Sequence, residues 1–356
     1  MASIWDCEPH GVGAAWPGRP VPNTGPAMFE TARSVRSGES NIVISKDTSG
    51  VYAIAPTPFL PNGGLDVESL PRMTEFYLDR KVDGITILGI LGEAPKLEQE
   101  ESVAVVRGVV GAAAGLPIVV GVSATGFAPM RRLAQESMAL GAAGVMVTPP
   151  SSARTDDQIA GYMRQAIAEI GTDVPVVLQD HPTVTNVIMS PAVIKRIIME
   201  NPSIVMLKHE DWPGLEKITA LRNWQAKGEL RPISILCGNG GLFLDCEMGR
   251  GADGAMTGYA FPELLTRLVA LSAKDREAAQ DLFDLHLPLM RYEHQSGIGL
   301  TVRKYILARR GAIAHPHLRS PGAVLSAQAK AEVDFLLRRL VERDPACAER
   351  LLDIAA

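Results

Sequence analysis

A lysine that ends an apolar run is the residue of this sequence best suited to covalent chemistry. Lys208 follows the run IVML at 204–207, whose length and composition are those of a buried strand. Alternation along a strand would place its side chain on the same side as Ile204 and Met206. If that side is an apolar enclosure, burial disfavours the ammonium form. The resulting neutral amine can attack a carbonyl group and form a Schiff base.

Two structural roles for this lysine stay open. Its ammonium could reach out of the enclosure to solvent, or it could pair with Glu210 or Asp211, which follow it closely. The intervening His209 should point to the other side of the strand by alternation, which predicts a supporting role for it. Lys208 is therefore a candidate nucleophile with two structural alternatives.

A glutamine and a histidine near the end of another apolar run are candidate partners for the lysine. Gln179 ends the run at 175–179, and alternation places His181 on the same side and Asp180 on the opposite side. Histidine can act as an acid or a base near neutral pH, whereas glutamine can only hold a water or a carbonyl by hydrogen bonds. The alternative for His181 is a capping role before Pro182. We expect Asp180 to anchor the loop through backbone hydrogen bonds.

These residues need a scaffold, and the sequence predicts eight strand-then-helix units. The apolar runs lie at 51–55, 84–88, 118–122, 144–147, 175–179, 204–208, 233–237 and 254–257. Helical periodicity follows each of them at 67–80, 98–114, 129–140, 156–170, 191–200, 215–226, 242–250 and 262–272. Runs that are apolar throughout are typical of a parallel sheet covered on both faces. Eight such units predict a (β/α)8 TIM barrel, in preference to an open doubly wound sheet, because residues 56–62 do not form a glycine-rich phosphate turn.

The regions outside the barrel are predicted to be an extension and a helical region. Residues 1–48 are rich in proline and glycine and lack periodicity, so they predict an N-terminal extension that is either flexible or held by its tryptophans. The barrel is assigned to 49–272. Residues 273–356 contain helical stretches near 274–294, 301–312 and 326–352, which we expect to pack on the barrel or on a neighbouring subunit.

Composition and charge exclude several classes of function. The 356 residues have a formal net charge of −5 and a pI of about 5.9, which argues against a nucleic-acid module. No run is long enough for a membrane span, and residues 1–20 lack the apolar core of a signal peptide, so we expect a cytoplasmic protein. The four cysteines form no CxxC pair, and only His315 and His317 are close among the histidines. We therefore expect neither a metal nor an organic cofactor.

Residues just after the predicted strands are the candidates for substrate contact, because active groups of such barrels lie at the carboxyl ends of the strands. Six of them are assigned to substrate binding: Thr57, Ile90, Leu91, Gly238, Asn239 and Thr257.

The sequence resembles the dihydrodipicolinate synthase and N-acetylneuraminate lyase superfamily of Schiff-base aldolases and lyases. The similarity covers about residues 50 to 310 and rests on APTPF at 55–59, GILGE at 89–93, IVMLK at 204–208 and GADG at 251–254. It implies that Lys208 condenses with pyruvate or another 2-oxo acid. Glu93 matches the family's glutamate, which we interpret as a support for the turn in preference to a direct chemical role. The resemblance also implies a homotetramer built as a dimer of dimers.

Departures from the family pattern point to altered chemistry. Ile90 and Leu91 stand where the family has two hydroxyl residues that bind the substrate carboxylate. Gln179 stands at the position of the tyrosine that shuttles protons, and Val184 at the arginine that holds a second acidic substrate. We therefore do not expect orthodox dihydrodipicolinate synthesis, and we expect a less acidic, bulkier partner substrate.

Three hypotheses follow from these observations. The leading one is a lyase of the aldolase or hydro-lyase type that acts through Lys208 on a 2-oxo acid or aldehyde. The second is a barrel that keeps the lysine but serves as a small-molecule binding or regulatory protein, for which borohydride trapping without turnover would be diagnostic. The third uses His181 and Glu210 for acid–base catalysis without an imine, and it predicts that Lys208→Arg leaves activity largely intact.

Overall fold

The strands close into a barrel in sequence order. The computed structural model describes residues 42–347, and in this part of the chain all eight strands run parallel, each pairing with the next and β8 pairing with β1. The strands are β1 Gly50–Ile54, β2 Gly84–Ile87, β3 Ile118–Gly121, β4 Gly144–Val147, β5 Val176–Asp180, β6 Ile204–His209, β7 Ser234–Cys237 and β8 Gly254–Ala255. The predicted (β/α)8 barrel is confirmed.

Helices surround the barrel on its outside. They are α1 Ser69–Leu78, α2 Gln99–Ala112, α3 Phe127–Ala139, α4 Asp156–Ile170, the short α5 Pro182–Thr185, α6 Pro191–Glu200, α7 Leu215–Ala226, α8 Leu244–Gly249 and α9 Pro262–Ser272. The sequence did not predict α5, which is a single turn and too short to show a helical period. The other eight helices lie where the sequence predicts them.

Two apolar layers explain why the strands are apolar throughout. One face of each strand packs against the helices, as Val145 and Leu178 do. The other face fills the barrel interior with residues such as Val177, Met206 and Leu236. Because both faces are buried, neither can be polar except near the strand ends.

The start of β6 departs from the alternation that the sequence suggested. The register between β5 and β6 shifts so that Val176 pairs with Ile204 and Val177 with Met206, which leaves Val205 unpaired. As a result Met206 lies in the barrel interior while Ile204 packs with the outer core. The expected placement of Ile204 beside Lys208 is therefore wrong, but the irregularity comes before Met206 and leaves the orientation of the lysine unchanged.

Three further helices follow the barrel: α10 Arg276–Glu293, α11 Gly299–Arg309 and α12 Ala327–Arg343. Residue Lys304 of α11 binds Glu93 after β2, with Nζ 2.5 Å from Oε1. The sequence predicted that this region packs either on the barrel or on a neighbouring subunit. Helix α11 packs on the barrel.

The folded body begins earlier than the predicted boundary at residue 49. Ile44 is buried, and its backbone N–H donates to the carbonyl oxygen of Ala143 at 3.0 Å. Most of the predicted extension, residues 1–41, lies outside the described residues, as does the end of the chain after residue 347. Between residues 42 and 347, no helix has the length and apolar character required to cross a membrane.

Candidate active site

Lys208 lies at the carboxyl end of β6 and forms an ion pair inside the protein. Lys208 is 4% exposed, and its Nζ is 2.9 Å from Oε2 of Glu210. Burial was the sequence expectation, and pairing with Glu210 was one of its structural alternatives; both are present. The enclosure is therefore not simply apolar, because it contains the carboxylate that can accept the lysine proton.

The neighbouring strand adds two side chains to the same carboxylate. Gln179 of β5 donates from Nε2 to Oε2 of Glu210 at 2.6 Å. His181 lies just beyond it, with Nδ1 3.4 Å from the same oxygen. This Nδ1 makes no hydrogen bond within residues 42–347. Alternation along β5 and β6 thus brings Gln179, His181, Lys208 and Glu210 together, as the sequence predicted for the first three.

The ionisation of Glu210 and His181 follows from this arrangement. Burial alone would raise the pKa of Glu210, but the charge of Lys208, the proximity of His181 and the amide of Gln179 outweigh it and lower the pKa. Burial lowers the pKa of His181, Glu210 opposes this shift, and Lys208 adds to it. At neutral pH the site therefore contains a carboxylate and an uncharged imidazole.

A cavity of about 70 Å³ opens above the lysine. Of the six residues assigned to substrate contact, Ile90, Leu91, Asn239 and Thr257 line it. The amide of Asn239 is turned away, since its Nδ2 donates to the carbonyl oxygen of Asp211 at 3.1 Å. The cavity lining therefore combines the apolar side chains of Ile90 and Leu91, which form its apolar wall, with the polar group around Lys208 and Glu210.

The other two residues assigned to substrate contact, Thr57 and Gly238, lie beside the lining of this cavity and not in it. The hydroxyl of Thr57 donates to the carbonyl oxygen of Gly92 at 2.6 Å and holds the turn after β2. Gly238 lies behind Glu210, and a Cβ at this position would be 2.3 Å from Cγ of Glu210. The glycine therefore leaves space for the close approach of the Glu210 side chain, and it does not line the cavity.

Two lining residues that the sequence analysis missed come from the C-terminal helices. His294 follows α10, and its ring stacks on Trp212 with centroids 5.4 Å apart. Arg303 lies on α11 and is 4% exposed. Both line the cavity, so its lining is more basic than Ile90 and Leu91 suggested. The adjacent charges Arg303 and Lys304 inside an otherwise apolar helical segment were the available signal.

The opposite face of β5 and β6 holds a second polar cluster. Asp180 does not anchor the loop as expected: its Oδ2 lies 2.6 Å from Nζ of Lys217 on α7. His209 lies 3.9 Å from the same carboxylate and is fully buried. Burial raises the pKa of Asp180 to about 6, against the effect of Lys217. None of Asp180, His209 and Lys217 lines the cavity beside Lys208.

Glu93 supports the turn after β2, as the sequence predicted. Its carboxylate binds Nζ of Lys304 at 2.5 Å and Nζ of Lys96 at 2.8 Å, and it accepts from the backbone N–H of Arg319 at 3.1 Å. It is 3% exposed and does not line the cavity.

One buried group within residues 42–347 has the composition of a metal site. His286, Asp344 and Cys347 offer ligand atoms that all lie within 4.8 Å of one another. Asp344 already binds Nη1 of Arg267 at 2.6 Å, and burial raises the pKa of the Cys347 thiol. A protonated thiol and a paired carboxylate favour a hydrogen-bonded cluster over a metal site.

The fold and the site define a class of protein: a closed (β/α)8 barrel with a lysine and a carboxylate enclosed at the carboxyl ends of its strands. Residues 47–340 match the model of the dihydrodipicolinate synthetase family. The chain belongs to this family, whose members are lyases.

Individual relatives carry different names. A crystal structure of dihydrodipicolinate synthase from Rhodopseudomonas palustris is 57% identical, covers 84% of this chain and 99% of its own, and has a TM-score of 0.83. The L-2-keto-3-deoxyarabonate dehydratase of Azospirillum brasilense is 26% identical over 82% of this chain and 94% of its own. The 4-hydroxy-tetrahydrodipicolinate synthase of Chlorobium luteolum is 30% identical over 78% of this chain and 92% of its own.

Proposed function

We propose that this protein is a lyase of the aldolase or hydro-lyase type that forms a Schiff base between Lys208 and a 2-oxo acid such as pyruvate. The observation that carries this proposal is the enclosed pair of Lys208 and Glu210, whose Nζ and Oε2 are 2.9 Å apart beside a cavity. Such a pair places a nucleophile next to the base that can activate it.

The proton movements can be assigned to residues of the site. Glu210 takes one proton from the lysine ammonium, and the neutral amine attacks the keto carbon. The carbinolamine then loses its oxygen as water, which carries away two of the three ammonium protons and leaves one on the iminium nitrogen. The iminium accepts the electron pair released when a bond at the neighbouring carbon breaks.

Glu210 and His181 are the proposed replacement for the missing tyrosine. Glu210 contacts Lys208 directly, and uncharged His181 lies 3.4 Å from the same carboxylate oxygen. A proton taken from the lysine can therefore pass to His181 and be returned to the leaving water or to the substrate carbon. Gln179 orients Glu210 through its 2.6 Å hydrogen bond.

The partner substrate is the part of the proposal that depends on sequence departures. Val184 is 50% exposed and lines a separate groove, so it provides no second cationic contact at the cavity. We therefore keep a less acidic partner as the proposal and orthodox dihydrodipicolinate synthesis as its main competitor. A dehydration of a 2-keto-3-deoxy acid, the reaction type in the name of one relative, needs no partner at all.

The decisive experiment is reductive trapping followed by peptide mapping. The full-length protein is incubated with pyruvate and borohydride, and mass spectrometry locates the adduct. We expect modification of Lys208 and of no other lysine, in buffer that contains a chelator. An unmodified Lys208 at saturating pyruvate and across a panel of other oxo acids and aldehydes would contradict the proposal.

Turnover assays then separate the enzyme from the binding protein. The panel contains 2-keto-3-deoxy acids alone, and pyruvate with aspartate semialdehyde or with uncharged aldehydes. Product formation supports a lyase and identifies its partner class. Trapping on Lys208 without turnover of any substrate favours the small-molecule binding or regulatory protein.

We also propose a homotetramer built as a dimer of dimers. The family resemblance supports this proposal, and the side chains of Val184 and Ile188 after β5, which are 50% and 77% exposed, are available to such an interface. Sedimentation equilibrium tests this proposal: a mass near four times 38.1 kDa is expected, and a monomer contradicts it.

A further inference from the structure

An arginine from outside the barrel strands completes the wall of the cavity. Arg303 lies on α11, and its side chain shares the cavity with Lys208 and Glu210. It is 4% exposed. A charged side chain this deeply buried requires partners for its donors.

One edge of the Arg303 guanidinium has a hydrogen-bond partner in the protein, and another, here called the open edge, has none. Its Nε donates to Oε1 of Glu293. Glu293 is 2% exposed and is itself fixed by the backbone N–H of Ala260, which donates to Oε2 at 3.2 Å. In contrast, the buried Nη1 of Arg303 has no hydrogen-bond partner anywhere in residues 42–347. A buried charged donor without an acceptor raises the free energy of the folded protein, so we expect a ligand to bind at this edge.

A glycine leaves room for the open edge. A Cβ at Gly258 would lie 2.6 Å from Nη1 of Arg303 and 2.7 Å from Cδ1 of Leu91. The two atoms are therefore neighbours on the same wall, next to the carboxyl end of β8. The side chains of Leu91 and Ile90 cannot donate hydrogen bonds, so the permanently charged side-chain donor beside them is Arg303.

The chemistry of the open edge favours a carboxylate. Guanidinium groups bind carboxylate oxygens through charge-assisted hydrogen bonds. The nearby protein carboxylates are already engaged, Glu210 by Lys208 and Gln179, and Glu293 by Nε of Arg303. Because the cavity is only about 70 Å³, the group that reaches Arg303 must belong to the same small molecule that reaches Lys208.

We propose that Arg303 binds the carboxylate of the short oxo acid whose carbonyl carbon is attacked by Lys208, and so selects oxo acids over neutral ketones and aldehydes. This inference rests on the proposed Schiff-base function. Glu293 is a positioning residue, because it binds the Nε edge and leaves Nη1 without a protein acceptor.

The test compares a charged and a neutral substrate in the trapping reaction. Pyruvate and pyruvamide share the ketone, but only pyruvate carries the carboxylate. The variant Arg303→Met combined with Glu293→Gln leaves no buried charge alone. We expect the pyruvate concentration for half-maximal trapping to rise about 10- to 100-fold, as for the loss of a charge-assisted hydrogen bond, and the value for pyruvamide to change less than about threefold.

A matched control lies one residue along the same helix. Lys304 is also buried and pairs with a carboxylate, Glu93, but does not line the cavity. Lys304→Met combined with Glu93→Gln should keep the preference for pyruvate.

The single variant Arg303→Lys keeps the charge opposite Glu293 and replaces the double variant should that protein fail to fold. It should lose part of the preference for pyruvate. Equal changes for both substrates, or no change for either, would overturn the inference.

A second measurement separates this inference from the proposed function. Oxamate carries the carboxylate of pyruvate but has an amide in place of the ketone, so it cannot condense with Lys208. We expect calorimetry to detect oxamate binding to the wild-type protein and to the Lys304 control but not to the Arg303 double variant. Binding that requires Arg303 without any trapping at Lys208 would overturn the Schiff-base function alone. Trapping of pyruvate and pyruvamide alike, with or without Arg303, would overturn the carboxylate subsite alone.

Discussion

The inner and outer faces of β5 and β6 each carry a lysine paired with a carboxylate. On the inner face Lys208 pairs with Glu210 at 2.9 Å, and on the outer face Lys217 of α7 pairs with Asp180 at 2.6 Å. Both lysines are almost fully buried, at 4% and 6% exposed. In residue type and distance the two pairs are nearly the same.

Their surroundings differ. The inner pair borders a cavity, and Glu210 has three partners that lower its pKa against the effect of burial. The outer pair is packed beneath α7, where burial outweighs Lys217 and raises the pKa of Asp180 to about 6. On the proposed function, an enclosed lysine and carboxylate form a reactive site only where a substrate can reach them, and elsewhere they are a structural contact.

Substituting each of the two lysines separately tests this difference most strongly. Lys208→Arg keeps a cation opposite Glu210 but cannot form an imine, so we expect kcat/KM to fall by at least roughly 10³-fold. Lys217→Met leaves Asp180 without its nearest cation and should lower the free energy of unfolding by roughly 3 kcal/mol, with kcat unchanged. Turnover assays and urea unfolding measure both. Substantial activity in Lys208→Arg would instead favour acid–base catalysis without an imine.

The two carboxylates should differ in the same way. Glu210→Gln removes the base, and we expect kcat to fall about 10²- to 10³-fold, with slower trapping of the imine. Asp180→Asn is the matched control and should change kcat less than about threefold while lowering stability by roughly 1–3 kcal/mol. Borohydride trapping at a series of reaction times measures the rate of imine formation, and thermal unfolding measures stability. An equal loss of kcat in the two variants would mean that the faces are not functionally distinct.

The outer histidine should affect stability through pH. Burial, with the charge of Lys217, lowers the pKa of His209 to about 4, below its unfolded value of about 6.5. The unfolded chain therefore binds the proton more tightly, and stability is lost as pH falls from 6.5 towards 4. Relative to His209→Gln, the wild-type protein should lose about 2 kcal/mol between pH 7 and pH 5.

Asp180 acts in the opposite direction over part of this range. Its raised pKa contributes stability that is present below about pH 4 and lost as pH rises through about 6. This contribution is common to both proteins, so the difference between their unfolding free energies reports His209. A difference that does not change with pH would contradict the lowered pKa.

The inner histidine should instead affect the pH profile of catalysis. Burial lowers the pKa of His181, so the uncharged form needed for proton transfer persists below pH 6.5, and kcat/KM should fall only as pH drops through the lowered pKa. His181→Gln should lower kcat about tenfold and remove this acidic limb. His209→Gln should leave the profile unchanged, and loss of the limb in that variant would contradict the assignment.

Periodicity determined much of the architecture from the sequence alone. Runs that are apolar on both strand faces and helices at regular spacing are local features, so eight units and their order can be derived without knowing any contact. The alternation of Gln179 with His181, and the position of Lys208 at a strand end, are local in the same sense. The family resemblance then indicated the chemistry of the lysine.

Only the tertiary structure decided which charges meet. The sequence left Glu210 and Asp211 open as partners of Lys208, and the structure selects Glu210. That Asp180 binds Lys217 and that Arg303 enters the cavity depend on packing between elements distant along the chain. A periodic pattern shows which face a side chain occupies, but not what lies opposite that face. The ionisation and partners of a buried charge depend on those opposing groups, so they are properties of the assembled fold.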